Sequence, residues 1–150
     1  MLELAAGSGC AVHFLDPANV YVGTDISPGL LRQAAKRFRN AGFDDAGFYI
    51  TGAENLPFSD GRFDCCLCIL SLNFFNDANR VLGEVRRVLN SGGRLVCAAP
   101  VPERNERRSL IRGTLRTESE IEELCRKHDL GFQSLPARNG ALLYFRAVAV

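Results

Sequence analysis

Apolar positions along this chain follow two alternating periods. Short runs, either unbroken or of period two, predict strands at Leu2–Ala5, Val20–Gly23, Phe48–Thr51, Phe63–Leu70 and Arg94–Ala99. Between them the spacing becomes helical. A short helix is expected from the glycine-rich stretch after the first strand to about Leu15. Leu30, Leu31, Ala34, Ala35, Phe38 and Ala41 make a longer stripe, opened by Ser27-Pro28 and stopped by Gly42. Val81, Leu82, Val85, Val88 and Leu89 make another, from Asn76/Asp77 to Ser91-Gly92-Gly93. Thr117-x-x-Glu120 is a capping box for a last helix carrying Ile121, Leu124 and Cys125, closed by Gly131. Phe132–Leu135 and Ala141–Val148 flank an Arg-Asn-Gly turn and predict a hairpin. Strands and helices in alternation, then a hairpin, predict an α/β fold. It is a doubly wound, mostly parallel, seven-stranded sheet with a C-terminal antiparallel hairpin, one domain spanning residues 1–150.

Length and composition agree: 150 residues, 47% hydrophobic, suffice for a real core. The net charge of +1 supplies no global field toward nucleic acid or anionic membrane. No apolar run approaches membrane-span length. The first residues do not read as a signal peptide, because a basic n-region is missing and Glu3 interrupts the apolar stretch. Cys65, Cys66, Cys68 and Cys97 lie in strand-like apolar runs and read as reduced core thiols, which points to a cytoplasmic protein. Alternation puts Cys66 and Cys68 on one face and Cys65 on the other, with no histidine to complete a tetrahedral set, so no metal site is expected. His13 and His128 stand alone on short helices. Arg104, Arg107, Arg108, Arg112 and Arg116 fall between Glu103 and Arg116 and read as a solvated loop.

The chemistry concentrates in the first quarter. A strand running into Ala5-Ala6-Gly7-Ser8-Gly9 and then a helix start offers free backbone N–H groups to a nucleotide-like ligand. Sixteen residues past Gly9, at the end of the second strand, Asp25 has the carboxylate that two ribose hydroxyls require. The third glycine of a dinucleotide fingerprint is replaced by Val12, which disfavours an NAD-dependent oxidoreductase. Glu3, beside the loop, sits badly with a pyrophosphate and better with a ligand bearing an amino group and a sulfonium.

"LELAAGSG", "YVGTDISPGLL", "GAENLPFSDGRFD" and "EVRRVLNSGGRLV" occur in an order and spacing that resemble the class I S-adenosylmethionine-dependent methyltransferases. The similarity is strongest to the small-molecule branch with the ubiquinone/menaquinone-biosynthesis enzymes, and covers about residues 2–100. It implies a Rossmann-like methyltransferase domain with S-adenosylmethionine as cofactor. It further implies that Glu3, Ala5, Gly7, Ser8 and Gly9 cradle the methionine part, Asp25 holds the ribose and Ile26 packs on the adenine. Gly52 and Ala53 would meet the adenine edge, and Ile69 the methionyl end. The chain departs from the family at three of these positions. Ala5 replaces a common glycine, Gly52 the usual Asp or Asn, and Ile69 a frequent Ser. Relatives also carry cap helices before the first strand, whereas this chain starts on that strand; a truncated and a naturally lidless form both fit. Asn73 and Phe74, after the fourth strand, are the candidate substrate contacts.

The resulting expectation is methyl transfer from S-adenosylmethionine to a small molecule, with no catalytic base assigned and the oligomeric state open. The alternatives are a non-catalytic S-adenosylmethionine/S-adenosylhomocysteine-binding module or remnant and, behind it, the oxidoreductase.

Overall fold

In the computed structural model, residues 1–105, 110–136 and 140–150 are described. Arg107, Arg108 and the first two residues of the Arg-Asn-Gly turn therefore lie outside the described residues. Seven strands form one sheet: β1 (Leu2–Leu4), β2 (Val22–Asp25), β3 (Gly47–Ile50), β4 (Phe63–Ile69), β5 (Leu89–Pro100), β6 (Leu130–Leu135) and β7 (Leu142–Ala149). Their order is β3-β2-β1-β4-β5-β7-β6. Pairs up to β4–β5 are parallel, while β7 runs antiparallel to both β5 and β6. The α/β, Rossmann-like expectation holds.

Among the described residues three α-helices flank the sheet: α1 (Pro28–Asn40), α2 (Ala78–Val88) and α3 (Glu118–Lys127). Their N-terminal ends form as the sequence dictates, whereas Gly92, Gly93 and Gly131, expected to close α2 and α3, lie in β5 and β6. The Ser27 hydroxyl accepts from the Leu30 N–H with Pro28 at the first position, Asp77 accepts from Arg80, and Thr117 and Glu120 make a reciprocal box. Val81, Leu82, Val85 and Val88 of α2, with Ile121 and Cys125 of α3, bury against Leu2, Leu4, Cys66, Leu95 and Phe145 on one face. Phe38 of α1 and Phe43 stack with Tyr21 and Val12 in a separate cluster. Helices thus cover both faces, and the chain reverses direction across the sheet between β1 and β4, where a crevice opens at the carboxyl ends of the strands.

The structure moves several boundaries. The helix expected through Leu15 is a single 3-10 turn, Cys10–His13, with the Asp16-Pro17 turn leaving no room for a second turn. β2 starts two residues later than expected and ends on Asp25 itself. Leu89, expected in α2, is already extended because it pairs with Phe63 across a bulge. β4, expected to be covered on both faces, alternates: Phe63, Cys66 and Cys68 are buried, Cys65 and Leu67 only partly. The six cysteines are free, and no cluster of metal-ligating side chains exists among the described residues. His128, expected to be at the surface or satisfied, meets Asn79 Oδ1 at 3.1 Å. No helix among the described residues is long and apolar enough to cross a membrane.

Candidate functional site

Two adjoining clefts open at the carboxyl edge, and Ala5 belongs to both. The first, about 450 Å³, is lined by Asp25, Ile26, Leu30, Gly52, Ala53, Glu54 and Phe74 among others. The second, about 430 Å³, lies at the β1/β4 reversal and is walled by Phe14, Leu15, Leu67, Ile69 and Leu70, with Glu3 the one carboxylate among the described residues.

Both rims are built from backbone turned sharply away from the sheet. Ala5, leaving β1, has φ 50°, and Leu70, leaving β4, has φ 58°. Side chains rarely adopt this left-handed region, at a cost of roughly 1–2 kcal/mol each. Gly9 is demanded twice, by φ 81° and because a β-carbon there would sit 2.8 Å from the Ala34 backbone of α1. The glycine that lets helix and loop approach is thus Gly9, which explains why Val12 fits as a buried core residue.

Asp25 is buried and uses both oxygens. Oδ2 accepts the Gly7 N–H at 2.9 Å and Oδ1 the Ser27 N–H at 2.8 Å. Ala6 N–H reaches Thr24 O at 2.8 Å, completing the tie between loop 5–9 and the end of β2. Each Asp25 oxygen retains acceptor capacity, and the residue lines the first cleft. Glu3 is also buried, and its carboxylate accepts a hydrogen bond from the Tyr21 hydroxyl. Burial pushes its pKa up to about 7, against the opposing pull of that bond.

Of the residues singled out in the sequence, Glu3, Ala5, Asp25, Ile26, Gly52, Ala53, Ile69 and Phe74 line one cleft or the other. Gly7, Ser8 and Gly9 shape the loop without lining either. Ser8 Oγ accepts from Arg37 at 3.1 Å. Asn73 is buried away from both, donating to Arg112 O at 2.7 Å. The sequence reading missed Tyr21, Leu70, Cys10 and Glu54. It also missed Glu84 and Arg87, which grip the loop just beyond the first cleft's Gly52–Glu54 wall: Arg87 donates to Leu56 O and Phe58 O, and Glu84 accepts the Leu56 N–H at 2.7 Å. The alternation of Glu3 with Leu2 and Leu4, opposite an aromatic entering the next strand, was the available signal for Tyr21.

Comparison with known proteins agrees with this geometry. A family model described as a methyltransferase domain matches residues 2–97. A ubiquinone/menaquinone biosynthesis C-methyltransferase UbiE of Desulfotalea psychrophila is 37% identical over 105 residues, covering 68% of this chain and 42% of its own. A demethylmenaquinone methyltransferase of Thermotoga maritima is 36% identical over 110 residues, 71% of this chain and 46% of its own. The chain therefore spans less than half the length of these curated relatives. Among solved structures, the YcgJ protein of Bacillus subtilis superposes with a TM-score of 0.82 at 17% identity, covering 98% of this chain and 90% of that one. A geranyl diphosphate C-methyltransferase of Streptomyces coelicolor, solved with S-adenosyl-L-homocysteine, gives 0.82 at 14% identity, covering 99% and 70%; these two likenesses speak to the fold alone. With nearly two thirds of its length matched and its cleft at the sheet reversal, this chain belongs to the class I methyltransferase domain family.

Proposed function

We propose that residues 1–150 act as one unit that binds S-adenosylmethionine and directs its methyl group to a small-molecule acceptor, in a reduced, cytoplasmic setting. One observation carries the reading. Asp25, fixed at the end of β2 by two backbone amides, retains acceptor capacity and lines an apolar cleft beside Ile26 and Ala53. A carboxylate so held suits a ribose diol, and the flanking apolar walls suit a base.

The residues present fit the cofactor. Asp25 would hold the ribose, Ile26 and Ala53 the base, and Glu3 the ammonium of the amino-acid end. When bound, the cofactor supplies a methyl carbon already activated by a positively charged sulfur. The chain's part is alignment: Ala5 joins the two clefts, and Phe14, Leu15, Leu67, Ile69 and Leu70 offer an apolar acceptor an apolar wall beside that junction. Among the described residues only Glu3 and Cys10 in this second cleft are titratable, so the acceptor must bring its own nucleophile, with these two the available proton acceptors.

That scarcity of acid–base groups also favours the second reading, a module that binds the cofactor without turnover. Calorimetry with S-adenosylmethionine, S-adenosylhomocysteine and NAD(H), then mass spectrometry of acceptors after incubation, separates the three. Heat from the sulfur nucleosides with methylated product supports the enzyme, and heat without product supports the module. Thermal stabilisation by NAD(H) alone overturns both.

A further inference from the structure

We infer that Glu54 selects the base in the first cleft, accepting a hydrogen bond from an exocyclic purine amine. The inference rests on the nucleoside reading of that cleft and adds a residue to it. Gly52 is where it starts. Its backbone lies outside the left-handed region, so conformation does not demand glycine there. The one atom within 4 Å of a β-carbon built on it is Glu54 Oε2, at 3.2 Å. The missing side chain at 52 thus makes the space that the Glu54 carboxylate borders.

The turn that presents Glu54 is pinned at both ends. Thr51 N–H donates to Asp25 O at 3.1 Å, and Thr51 Oγ1 reaches Gly52 O at 3.3 Å and Asn55 O at 3.1 Å. Asn55 N–H closes back on Gly52 O at 3.4 Å. Glu54 is half-buried on the same cleft wall as Asp25. The two carboxylates differ in what is left to them. Asp25 already serves two amides, whereas no ion pair among the described residues engages Glu54. A carboxylate only accepts, so it rewards a base edge that presents N–H, as the 6-amino group of adenine does.

The test compares S-adenosylhomocysteine with its analogue bearing hydrogen in place of the 6-amino group, by calorimetry on the whole chain. The intact protein should prefer the amine by about tenfold, the worth of one partly exposed charge-assisted bond. Glu54→Ala should bring that ratio near one at unchanged Tm, and Glu54→Gln should keep most of it, since its amide oxygen still accepts. Gly52→Asp should weaken binding by crowding a second carboxylate against the first, and adding Glu54→Ala should restore it. A ratio unmoved by Glu54→Ala, or equal binding of both ligands by the intact protein, overturns the role of Glu54 alone. No binding of either ligand overturns it together with the nucleoside reading.

Discussion

Glu3 ties folding and ligand capture to pH in opposite directions. Its folded pKa is raised to about 7 from an ordinary 4.5, so the folded state holds a proton that the unfolded chain has lost between those values. Stability therefore falls as pH rises from about 4.5 to 7, by an amount on the order of a few kcal/mol. Denaturant titrations at pH 5 and 8 should show this slope, and Glu3→Gln should flatten it. An ammonium seated beside Glu3 favours the ionised form. S-adenosylhomocysteine binding near pH 6 should then release a proton, visible as buffer-dependent heat, and affinity should rise until about pH 7. Ala5 offers a simpler test. Its φ of 50° suits glycine, so Ala5→Gly should gain up to ~1 kcal/mol in chemical denaturation, relief of strain outweighing the added chain entropy.

The loop from Gly52 to Asp60 has no regular structure; its first residues, Gly52–Glu54, line the first cleft, and α2 holds the stretch that follows them. Arg87 reaches Leu56 O, Phe58 O, Asp60 and Glu84 at once, and its bonds to Glu84, with the Leu56 N–H, keep that carboxyl below its usual range. Arg87→Ala should cost about 1–3 kcal/mol and weaken nucleoside binding although it touches no ligand; Arg87→Lys should recover part of it. The Glu84 contribution is present above pH 4.5 and lost as pH falls through its lowered folded value. Little of this was readable beforehand. Caps were, because Ser27, Asp77 and Thr117 act on amides three positions away, and so was Asp25, whose place at a strand end follows from the spacing after the glycine loop. Leu89 was misplaced because its pairing with Phe63 joins distant parts of the chain and overrides helical spacing. The Arg87 network and the Tyr21–Glu3 bond escaped for the same reason: sequence displays neighbours along the chain, and these partners meet only through the sheet order.

Across the molecule, side-chain exposure divides the six thiols. Cys66, Cys68, Cys97 and Cys125 are buried, Cys65 is partly covered, and Cys10 stands exposed on the wall of the second cleft. A thiol-reactive dye added to folded protein should label one group quickly, Cys10→Ala should abolish that phase, and S-adenosylhomocysteine should slow it if the cofactor bridges both clefts. The mouth of this region is apolar, with Phe14 89% and Ile26 78% exposed, an uncommon arrangement for side chains of that size. Asp25 deserves a different treatment from its neighbours in any mutagenesis campaign. Because its two oxygens fasten the first loop and the approach to α1 to the end of the second strand, a screen for lost binding will return Asp25 variants alongside poorly expressing ones. Genetic drift at this position is then policed by the integrity of the polypeptide as much as by its ligand, even in a descendant that has given up its substrate.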